Sequence, residues 1–382
     1  MLKVLELFAG IGAASKALEN LGIEHEIVDA VEIDKYAIKA FNTIHNTNFE
    51  PQDITKWDKD IGADLIIHGS PCQDYSIAGL QAGGDKGSGT RSSLMYESVR
   101  IIEKLRPKYV IWENVKNLLS KKHRHNFDAY LETMEKFGYK NHYQVLDAQN
   151  YGVPQHRERV FTVSILGGGD FKFPEPIPLE KKLKDVLEKK VDEKYYLDSK
   201  YENLVKVNEN YGMMEGGVIG KMHDSSRRAY SPEYVSPTLP TCAGGNIQPK
   251  VIEGPTPLQR AVCDKAIEGG LVVPNDAIEY TYSNARLEEI EKGYIRKQNK
   301  SNNQIMSTLK TNPQQIGVCV DEPYRIRKLT PKECYRLMGF DDESFERASK
   351  AISNTQLYKT AGNSIVVDVL IAIFKELFKD GS

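Results

Sequence analysis

The stretch "KVLELFAGIGAASKALENLG" (3–22) places an apolar run, a turn with two glycines and an amphipathic run in direct succession. The run at 3–8 predicts a β-strand, and residues 12–22 predict an α-helix. Gly10 and Gly12 permit a tight turn and allow a ligand to approach the backbone closely. This order is typical of a parallel sheet whose first turn holds a nucleoside-containing cofactor, and the alternative is a turn with only a structural role.

The same alternation of strand-like and helix-like stretches continues to residue 165. Further strands are predicted at 25–33, 63–69, 108–115, 141–148 and 158–165. Helices are predicted at 35–45, 93–105 and 126–139. Regular alternation of this kind predicts an α/β fold, with a Rossmann-like, mostly parallel sheet that helices cover on both faces.

The pattern changes after a Gly- and Pro-rich linker at 167–178. A solvated helix is predicted at 179–196, because pairs such as Glu180 and Lys184 lie four residues apart. From about 200 to 325 the chain is rich in Gly, Pro, Asn and Ser. This composition predicts short strands joined by long loops.

Regular helix returns near the C-terminus. The stretch 330–340 offers Thr330 as N-cap, Pro331 at the first helical position and Glu333 at the third. The largely apolar stretch 364–378 predicts a helix that is buried on most sides.

The bulk composition is that of an ordinary globular protein. The chain has 382 residues, 40% of them hydrophobic, and a net charge of -2, so two domains are expected and nucleic-acid binding is not evident from charge alone. The five cysteines contain no CxxC pair and indicate neither a disulfide framework nor a structural zinc site. With no such cysteine spacing, no metal is expected. No signal-peptide pattern or uncharged membrane-spanning run is present, so no membrane association is expected and a reducing cytoplasm fits best.

Three polar or reactive side chains follow predicted strands at one edge of the sheet. Glu32 ends the second strand and could accept hydrogen bonds from a ribose. Cys72, in "GSPCQDYS" (69–76), follows a buried strand in polar company, which favours a nucleophilic thiol over a small buried hydrophobe. Glu113 follows an apolar run, where partial burial would raise its pKa and let it donate a proton. An ion pair with a nearby Lys or Arg is the alternative for Glu113.

Further candidates lie on other predicted strand ends and loops. Asp53 is expected where the third strand ends, where it could accept from an exocyclic amine such as that of adenine, and Asp60 or Asp64 would serve equally with other strand boundaries. The alternative for Asp53 is a solvated loop carboxylate. Gln155, Arg157 and Arg159 alternate along one predicted strand, and two arginines on one face indicate an anion or a planar polar ligand rather than a surface ion-pair ladder. The Gly-rich stretch 78–93 predicts a lid beside the thiol, with a surface loop as the alternative.

Together these stretches resemble the DNA (cytosine-5) methyltransferases of the bacterial and phage type. The matching motifs follow the family's order and are "FAGIG" (8–12), "EID" (32–34), "DI" (53–54), "GSPCQDYS" (69–76), "ENV" (113–115), "QHRERVF" (155–161), "RKLTPKECYRLMGF" (327–340) and "YKTAGNSIVVDVL" (358–370). The resemblance covers residues 1–165 and 325–380, and the region between them is variable in the family. It implies an S-adenosylmethionine-dependent methyltransferase fold with a second, smaller, irregular domain.

The resemblance also implies a division of labour along the chain. The implied parts are a catalytic domain at 1–178, a target-recognition domain at 179–325, a hinge at 326–353 and, at 354–382, a C-terminal helix that returns to the catalytic domain.

Roles for individual residues follow from the matched motifs. Cys72 would be the nucleophile, Glu113 would hold and protonate ring nitrogen 3, and Arg157 and Arg159 would orient the base. The implied S-adenosylmethionine pocket comprises Phe8, Ala9, Gly10, Ile11, Gly12, Glu32, Ile33, Asp53, Ile54, Pro71, Asn363 and Ser364. The implied DNA contacts are Gln73, Ser76, Thr238, Leu239, Gly244, Gly245, Thr308 and Leu309. One departure is Ile33, where several relatives carry an aromatic residue.

The implied activity is methyl transfer from S-adenosylmethionine to carbon 5 of a cytosine flipped out of duplex DNA, through a covalent Cys72 intermediate. The resemblance further implies a bacterial or phage-encoded enzyme that acts in the cytoplasm as a monomer on double-stranded DNA, with a cognate restriction endonuclease as a candidate partner. The alternatives are an RNA methyltransferase, an NAD-dependent oxidoreductase and an inactive DNA-binding protein. The absence of a Cys-Phe-Thr stretch argues against the RNA methyltransferase. The "PCQ" and "ENV" motifs argue against the oxidoreductase, and the intact Cys72 and Glu113 argue against the inactive DNA-binding protein.

The variable region contains two Thr-Leu pairs, Thr238-Leu239 and Thr308-Leu309. In relatives one such pair lies near the DNA. The stretch between them, 254–306, is interpreted as a basic insertion that adds phosphate contacts, and the alternative is a surface excursion with ordinary solvated charges.

Overall fold

Of the 382 residues, the computed structural model describes 1–71, 85, 87–197, 205–207, 214–216, 229–241, 248–253, 277–281, 296–297, 314–318 and 325–379. The chain divides into two compact units. The first unit comprises residues 1–187, 236–246 and 330–382, and the second comprises residues 188–235 and 247–329. The segment 236–246 thus groups with the first unit, although the residues on either side of it along the chain group with the second.

The first unit contains a six-stranded sheet. Its strands are β1 (Leu2–Leu7), β2 (His25–Val31), β3 (Leu65–His68), β4 (Tyr109–Val115), β5 (Tyr139–Asp147) and β6 (Glu158–Leu166). They lie in the order β2-β1-β3-β4-β6-β5, and β1 to β4 are parallel, whereas β6 is antiparallel to both of its neighbours. The prediction of a mostly parallel α/β sheet is confirmed.

Helices connect and follow these strands. They are α1 (Ala13–Asn20), α2 (Lys35–His45), α3 (Met95–Leu105), α4 (Arg124–Lys136), α5 (Pro331–Leu337), α6 (Asp342–Ser349), α7 (Asn354–Asn363) and α8 (Val367–Leu377). The main core joins apolar strand residues such as Ile66 and Val110 to helix residues such as Ile102 and Phe127. The continuous apolar runs in the strands reflect burial of both faces of a parallel sheet.

The C-terminal helices agree in part with the sequence. Helix α5 begins with the predicted capping box, in which Thr330 accepts from the Glu333 N–H and Glu333 accepts in return from the Thr330 N–H. It ends at Leu337, before Gly339 adopts a left-handed φ of 81°. Helix α6 was not predicted, and the single C-terminal helix implied at 354–382 is present as two helices, α7 and α8. Together, α7 and α8 are long and apolar enough to pass for a membrane span, but 67% of the apolar window is buried in the protein, as in a core helix.

The second unit is built from short strands, as its composition predicts. The described strands are β7 (Val205–Val207), β8 (Met214–Gly216), β9 (Ala229–Tyr230), β10 (Lys250–Glu253), β11 (Ala277–Thr281), β12 (Arg296–Lys297), β13 (Gln314–Val318) and β14 (Arg325–Lys328). Strand β10 pairs with β14 and β9, β11 with β12 and β13, and β7 with β8. Arg327 is fully buried and ion-paired with Glu253, which also accepts from the Tyr196 hydroxyl at 2.6 Å.

The helix predicted at 179–196 is absent from the described structure of that stretch. Two 3₁₀ turns, Leu183–Val186 and Glu193–Tyr195, occupy it instead. Leu183 and Val186 are buried, and the Val186 carbonyl accepts from Arg336 at 3.0 Å. Charge pairs four residues apart contribute only about 0.2–0.5 kcal/mol each, which is too little to overcome these tertiary contacts.

The expected position of Asp53 at a strand end is also wrong. Strand β3 begins only at Leu65, and Asp53 caps a 3₁₀ turn at Ile54–Lys56. The loop is fixed by side chains rather than by a sheet, because buried Asp29 accepts from Trp57 at 2.8 Å and from other polar groups of the loop. A local sequence pattern does not carry this information.

Thr330→Ala is expected to lower the free energy of unfolding by about 0.5–2 kcal/mol, because the hydroxyl that caps α5 is lost. Ser353→Ala is the matched control, since Ser353 is the N-cap residue of α7 but makes no capping hydrogen bond through its side chain. Urea denaturation followed by circular dichroism measures both variants. Equal losses in the two would contradict a capping role for Thr330.

Candidate active site

The turn after β1 has an unusual backbone. Phe8, Gly10 and Gly12 have positive φ angles of 54°, 56° and 80°. Such a conformation is easy for glycine, but it costs of order 1–3 kcal/mol for a residue like Phe8. Strain of this kind persists only where the surrounding structure imposes it, and it is typical of ligand-binding turns.

Glu32 holds this turn from the end of β2. Its Oε2 accepts from the Gly10 N–H at 3.0 Å, and its Oε1 accepts from the Asp34 N–H at 2.8 Å. Burial raises the pKa of Glu32 above the usual range for a glutamate. The structure therefore brings together the glycine turn and the acidic residue that the sequence nominated for one cofactor pocket.

His45, at the end of α2, supports the same turn from another side and was missed by sequence reasoning. Burial lowers its pKa to about 4, so the ring is neutral near pH 7. Its Nε2 lies 3.1 Å from the Ile11 carbonyl oxygen and donates to it in the tautomer with a proton on Nε2. A side chain at Gly12 would overlap with this ring. No local pattern marks His45, because its partner is 34 residues away along the chain.

The remaining proposed pocket residues near β2 differ in exposure. Ile33 is 70% exposed, whereas Ile54 is buried. Asp53 accepts from the Thr55 N–H at 3.0 Å and from its hydroxyl, and these bonds lower the pKa of Asp53. The Gln52 N–H donates to the Glu32 carbonyl at 2.8 Å, so the loop that carries Asp53 is attached to the end of β2.

A second set of residues lies where β3 and β4 end. A Cβ atom built on Gly69 would lie 3.7 Å from Glu113 Oε2 and 3.7 Å from Ile365. The carboxyl group of Glu113 is therefore adjacent to the backbone that leads, through Pro71, to Cys72. Cys72 itself, with Gln73 and Ser76, lies outside the described residues.

Glu113 is buried and paired at once. Its Oε1 lies 3.0 Å from Arg159 Nε, and both side chains are largely buried. Burial raises the pKa of Glu113, although the Arg159 and Arg157 guanidinium groups act in the opposite direction. Both readings of the sequence, a proton donor and an ion-pair partner, thus have a counterpart in the structure.

Arg157 makes a different set of contacts from Arg159. Its guanidinium group is buried and donates to the Leu239 carbonyl at 3.2 Å, the Gly362 carbonyl at 3.1 Å and the Ser364 carbonyl at 3.0 Å. These contacts join distant parts of the chain. Arg157 also precedes β6, which begins at residue 158, so it does not share a strand face with Arg159 as predicted.

The segment 236–241 runs beside residues 154–157. Gln155 is fully buried, accepts from the Leu239 N–H at 3.0 Å and donates to the Leu337 carbonyl at 2.7 Å. Thr238 donates through its hydroxyl to the His156 carbonyl at 2.7 Å and is exposed, whereas Leu239 is only 3% exposed. Of this proposed DNA-binding pair, Thr238 presents its side chain to solvent.

The other proposed site residues are placed as follows. Asn363 is exposed and Ser364 is buried, at the end of α7. Gly362 lies so close to Pro240 that a side chain there would overlap with the Pro240 carbonyl. The proposed residues Gly244, Gly245, Thr308 and Leu309 lie outside the described residues.

In the part of the chain that the structure describes, no group of three His, Cys, Asp or Glu side chains could hold a metal ion.

Comparison with known proteins gives one consistent result. The family model of the C-5 cytosine-specific DNA methylase matches residues 2–379. An orphan methyltransferase of Bacillus phage SPbeta is 35% identical over 98% of this chain and 97% of the phage protein. A type II methyltransferase of Lactococcus lactis subsp. cremoris is 31% identical over 99% of each chain.

Solved structures agree at the level of the fold. The S. pombe Dnmt2 methyltransferase matches with a TM-score of 0.61 at 17% identity and covers 99% of each chain. An Entamoeba histolytica methyltransferase, EhMeth, matches with a TM-score of 0.65 at 15% identity, over 100% of this chain and 99% of the other. Together with the full-length sequence matches, the fold and the ordered motifs show that this chain belongs to the C-5 cytosine-specific DNA methylase family and is a DNA (cytosine-5) methyltransferase.

Proposed function

We propose that this enzyme transfers a methyl group from S-adenosylmethionine to carbon 5 of a cytosine that is flipped out of duplex DNA, with Cys72 as the covalent nucleophile. The observation that carries the proposal is the placement of Glu113. Its buried carboxyl group, with a raised pKa, lies against Gly69, three residues before Cys72. A thiol and a proton donor on one sheet edge suit addition to a cytosine ring.

The residues around the glycine turn fit S-adenosylmethionine. The left-handed backbone at Gly10, where a Cβ atom would meet only the Phe8 carbonyl at 4.0 Å, leaves room for close approach of a ligand, and Glu32 is fixed beside it. When bound, the cofactor supplies an electrophilic methyl group on a sulfonium. Ile33, with 70% of its surface exposed, offers an aliphatic face for the adenine, and Asp53 offers a carboxylate for its amine.

The chain's own residues carry the steps on the cytosine. The Cys72 thiolate forms a bond to carbon 6, while Glu113 donates a proton to nitrogen 3, so that electron density reaches carbon 5. After carbon 5 has gained the methyl group, a base removes its hydrogen as a proton and the carbon–sulfur bond breaks. Nitrogen 3 returns its proton to Glu113, which restores the ring, the thiolate and the carboxylic acid. Arg159, 3.0 Å from Glu113, holds the carboxyl group in place and limits how far its pKa rises.

The proposed substrate is double-stranded DNA, in which a stacked cytosine must be flipped out before its ring can meet Cys72 and Glu113. We assign catalysis to residues 1–178 together with the C-terminal 354–382, target recognition to 179–325 and the hinge to 326–353, and we place Thr238 at the DNA surface. A monomeric, cytoplasmic enzyme of a bacterium or phage fits these roles, and a restriction endonuclease with the same target site is its candidate partner.

Cys72→Ala is expected to abolish methyl transfer to unmodified duplex DNA while leaving the affinity for S-adenosylmethionine nearly unchanged. Cys334→Ala, which alters a buried cysteine in α5, is the matched control and should keep full activity. Transfer of radiolabelled methyl groups and isothermal titration measure the two properties. Substantial turnover by Cys72→Ala would rule out the covalent mechanism.

Glu113→Gln is expected to slow single-turnover methylation by about two to four orders of magnitude, the usual effect of losing a positioned proton donor. Because burial raises the pKa of Glu113, its protonated fraction falls as the pH rises through that pKa. The wild-type rate should therefore decline on the alkaline side, and the glutamine variant should lack this decline. Identical pH profiles would show that Glu113 serves only as an ion-pair partner of Arg159.

His45→Ala is expected to weaken S-adenosylmethionine binding by about twofold to tenfold, because the turn loses one hydrogen bond worth about 0.5–1.5 kcal/mol. His25→Ala is the control, since His25 makes a comparable contact, 2.8 Å from the Ile23 carbonyl, away from the glycine turn. Isothermal titration with the cofactor alone measures both. Equal dissociation constants for the two variants would contradict a supporting role for His45.

A further inference from the structure

Ser70 occupies the short connection between the end of β3 and Cys72. The pairing of β3 with β4 ends at His68 and Trp112. Beyond that point the backbone of Ser70 is no longer part of the sheet, yet the residue is only 3% exposed. Something other than strand pairing must therefore hold this connection in place.

Two side chains of β4 hold Ser70. The Trp112 indole donates from Nε1 to Ser70 Oγ at 3.0 Å. The Asn114 amide donates from Nδ2 to the Ser70 carbonyl at 3.1 Å and approaches Ser70 Oγ at 3.3 Å. The Val115 N–H donates to Asn114 Oδ1 at 2.8 Å, which fixes the orientation of the amide.

These two donors flank Glu113 on the same strand. Because side chains alternate along a strand, Trp112 and Asn114 share one direction and Glu113 takes the other. The preceding residue, Gly69, lies against the Glu113 carboxyl group itself. Residues 69 and 70 are thus fixed to the short piece of β4 that carries the proton donor, and Cys72 follows two positions later.

We propose that Ser70 is a positioning residue, which holds the backbone before Cys72 in register with Glu113 so that thiol and carboxyl group reach the same cytosine ring. This inference rests on the proposed function. The two groups must act together on carbon 6 and nitrogen 3, and a displacement of about 1 Å in such an arrangement can cost about 10²-fold in rate. The Ser70 hydroxyl supplies an acceptor to Trp112 that alanine or glycine would lack.

The test uses the full chain, S-adenosylmethionine and a duplex with 5-fluorocytosine at the target. The covalent adduct accumulates on this base because carbon 5 carries fluorine in place of the hydrogen that must leave as a proton. Ser70→Ala is expected to form the adduct about 10²-fold more slowly, with the same final yield and the same dissociation constant for the cofactor. A merely structural defect would instead lower the yield, because part of the protein would be inactive, and leave the rate constant of the remainder unchanged.

Ser98→Ala is the matched control. Ser98 is a fully buried serine of α3, and its hydroxyl has no hydrogen-bond partner among the described residues. This variant should form the adduct at the wild-type rate. Trp112→Phe removes the same hydrogen bond from the donor side, and the double variant with Ser70→Ala should be no slower than the slower single variant.

A wild-type rate constant in Ser70→Ala would overturn the inference. If Ser70→Ala fails to bind the cofactor, the test rests on Trp112→Phe. A lowered rate constant at full yield in this variant supports the role of the hydrogen bond between Trp112 and Ser70, and an unchanged rate constant overturns the inference. Additive losses in the double variant would also overturn it. A wild-type protein that forms no adduct at all would contradict the proposed function instead, so the two failures are distinguishable.

Discussion

Two buried side chains, Gln155 and Arg157, hold together three parts of the first unit that are far apart along the chain. Gln155 joins segment 236–241 to the end of α5, and Arg157 joins the same segment to the end of α7 at Gly362. A buried guanidinium group is costly unless its donors are hydrogen-bonded, and here three backbone carbonyls accept from its two terminal nitrogens. Segment 236–241 approaches the end of α7 closely because Gly362 carries no side chain that would overlap with the Pro240 carbonyl. The edge of the sheet that carries the site depends on this junction.

The electrostatics of Glu113 result from two opposing effects. Burial favours the neutral carboxylic acid, whereas the neighbouring Arg159 and Arg157 favour the carboxylate. Burial is the larger effect, so the group is held closer to protonation than a surface glutamate. In the mechanism that we propose, this acid gives a proton to a ring nitrogen near neutral pH, which requires such a balance. The ion pair with Arg159 therefore positions the carboxyl group without preventing it from carrying a proton.

The glycine turn after β1, which we propose to bind the cofactor, is also held from more than one side. Its strained backbone at Phe8 is held by hydrogen bonds from both sides, with Glu32 accepting from Gly10 and His45 next to the Ile11 carbonyl. Glu32 directly follows β2 and His45 ends α2, so both supports lie outside the segment from β1 to α1 that forms the turn. Substitution of either support should change cofactor affinity before it changes the fold, because the strain is local.

The sequence by itself determined the alternating strands and helices, the capping box at Thr330 and the placement of Glu32 just after β2 and of Glu113 near the end of β4, because spacing and local hydrogen bonds decide these features. It did not determine the partners of His45, the 3₁₀ turns within 179–196 or the bonds from β4 to Ser70. These features depend on contacts between residues that are tens of positions apart along the chain. Such contacts form only when the sheet and the helices have packed together and buried the polar groups of these residues. A buried donor must then find an acceptor wherever the packing provides one, and only the tertiary structure decides which residue that is.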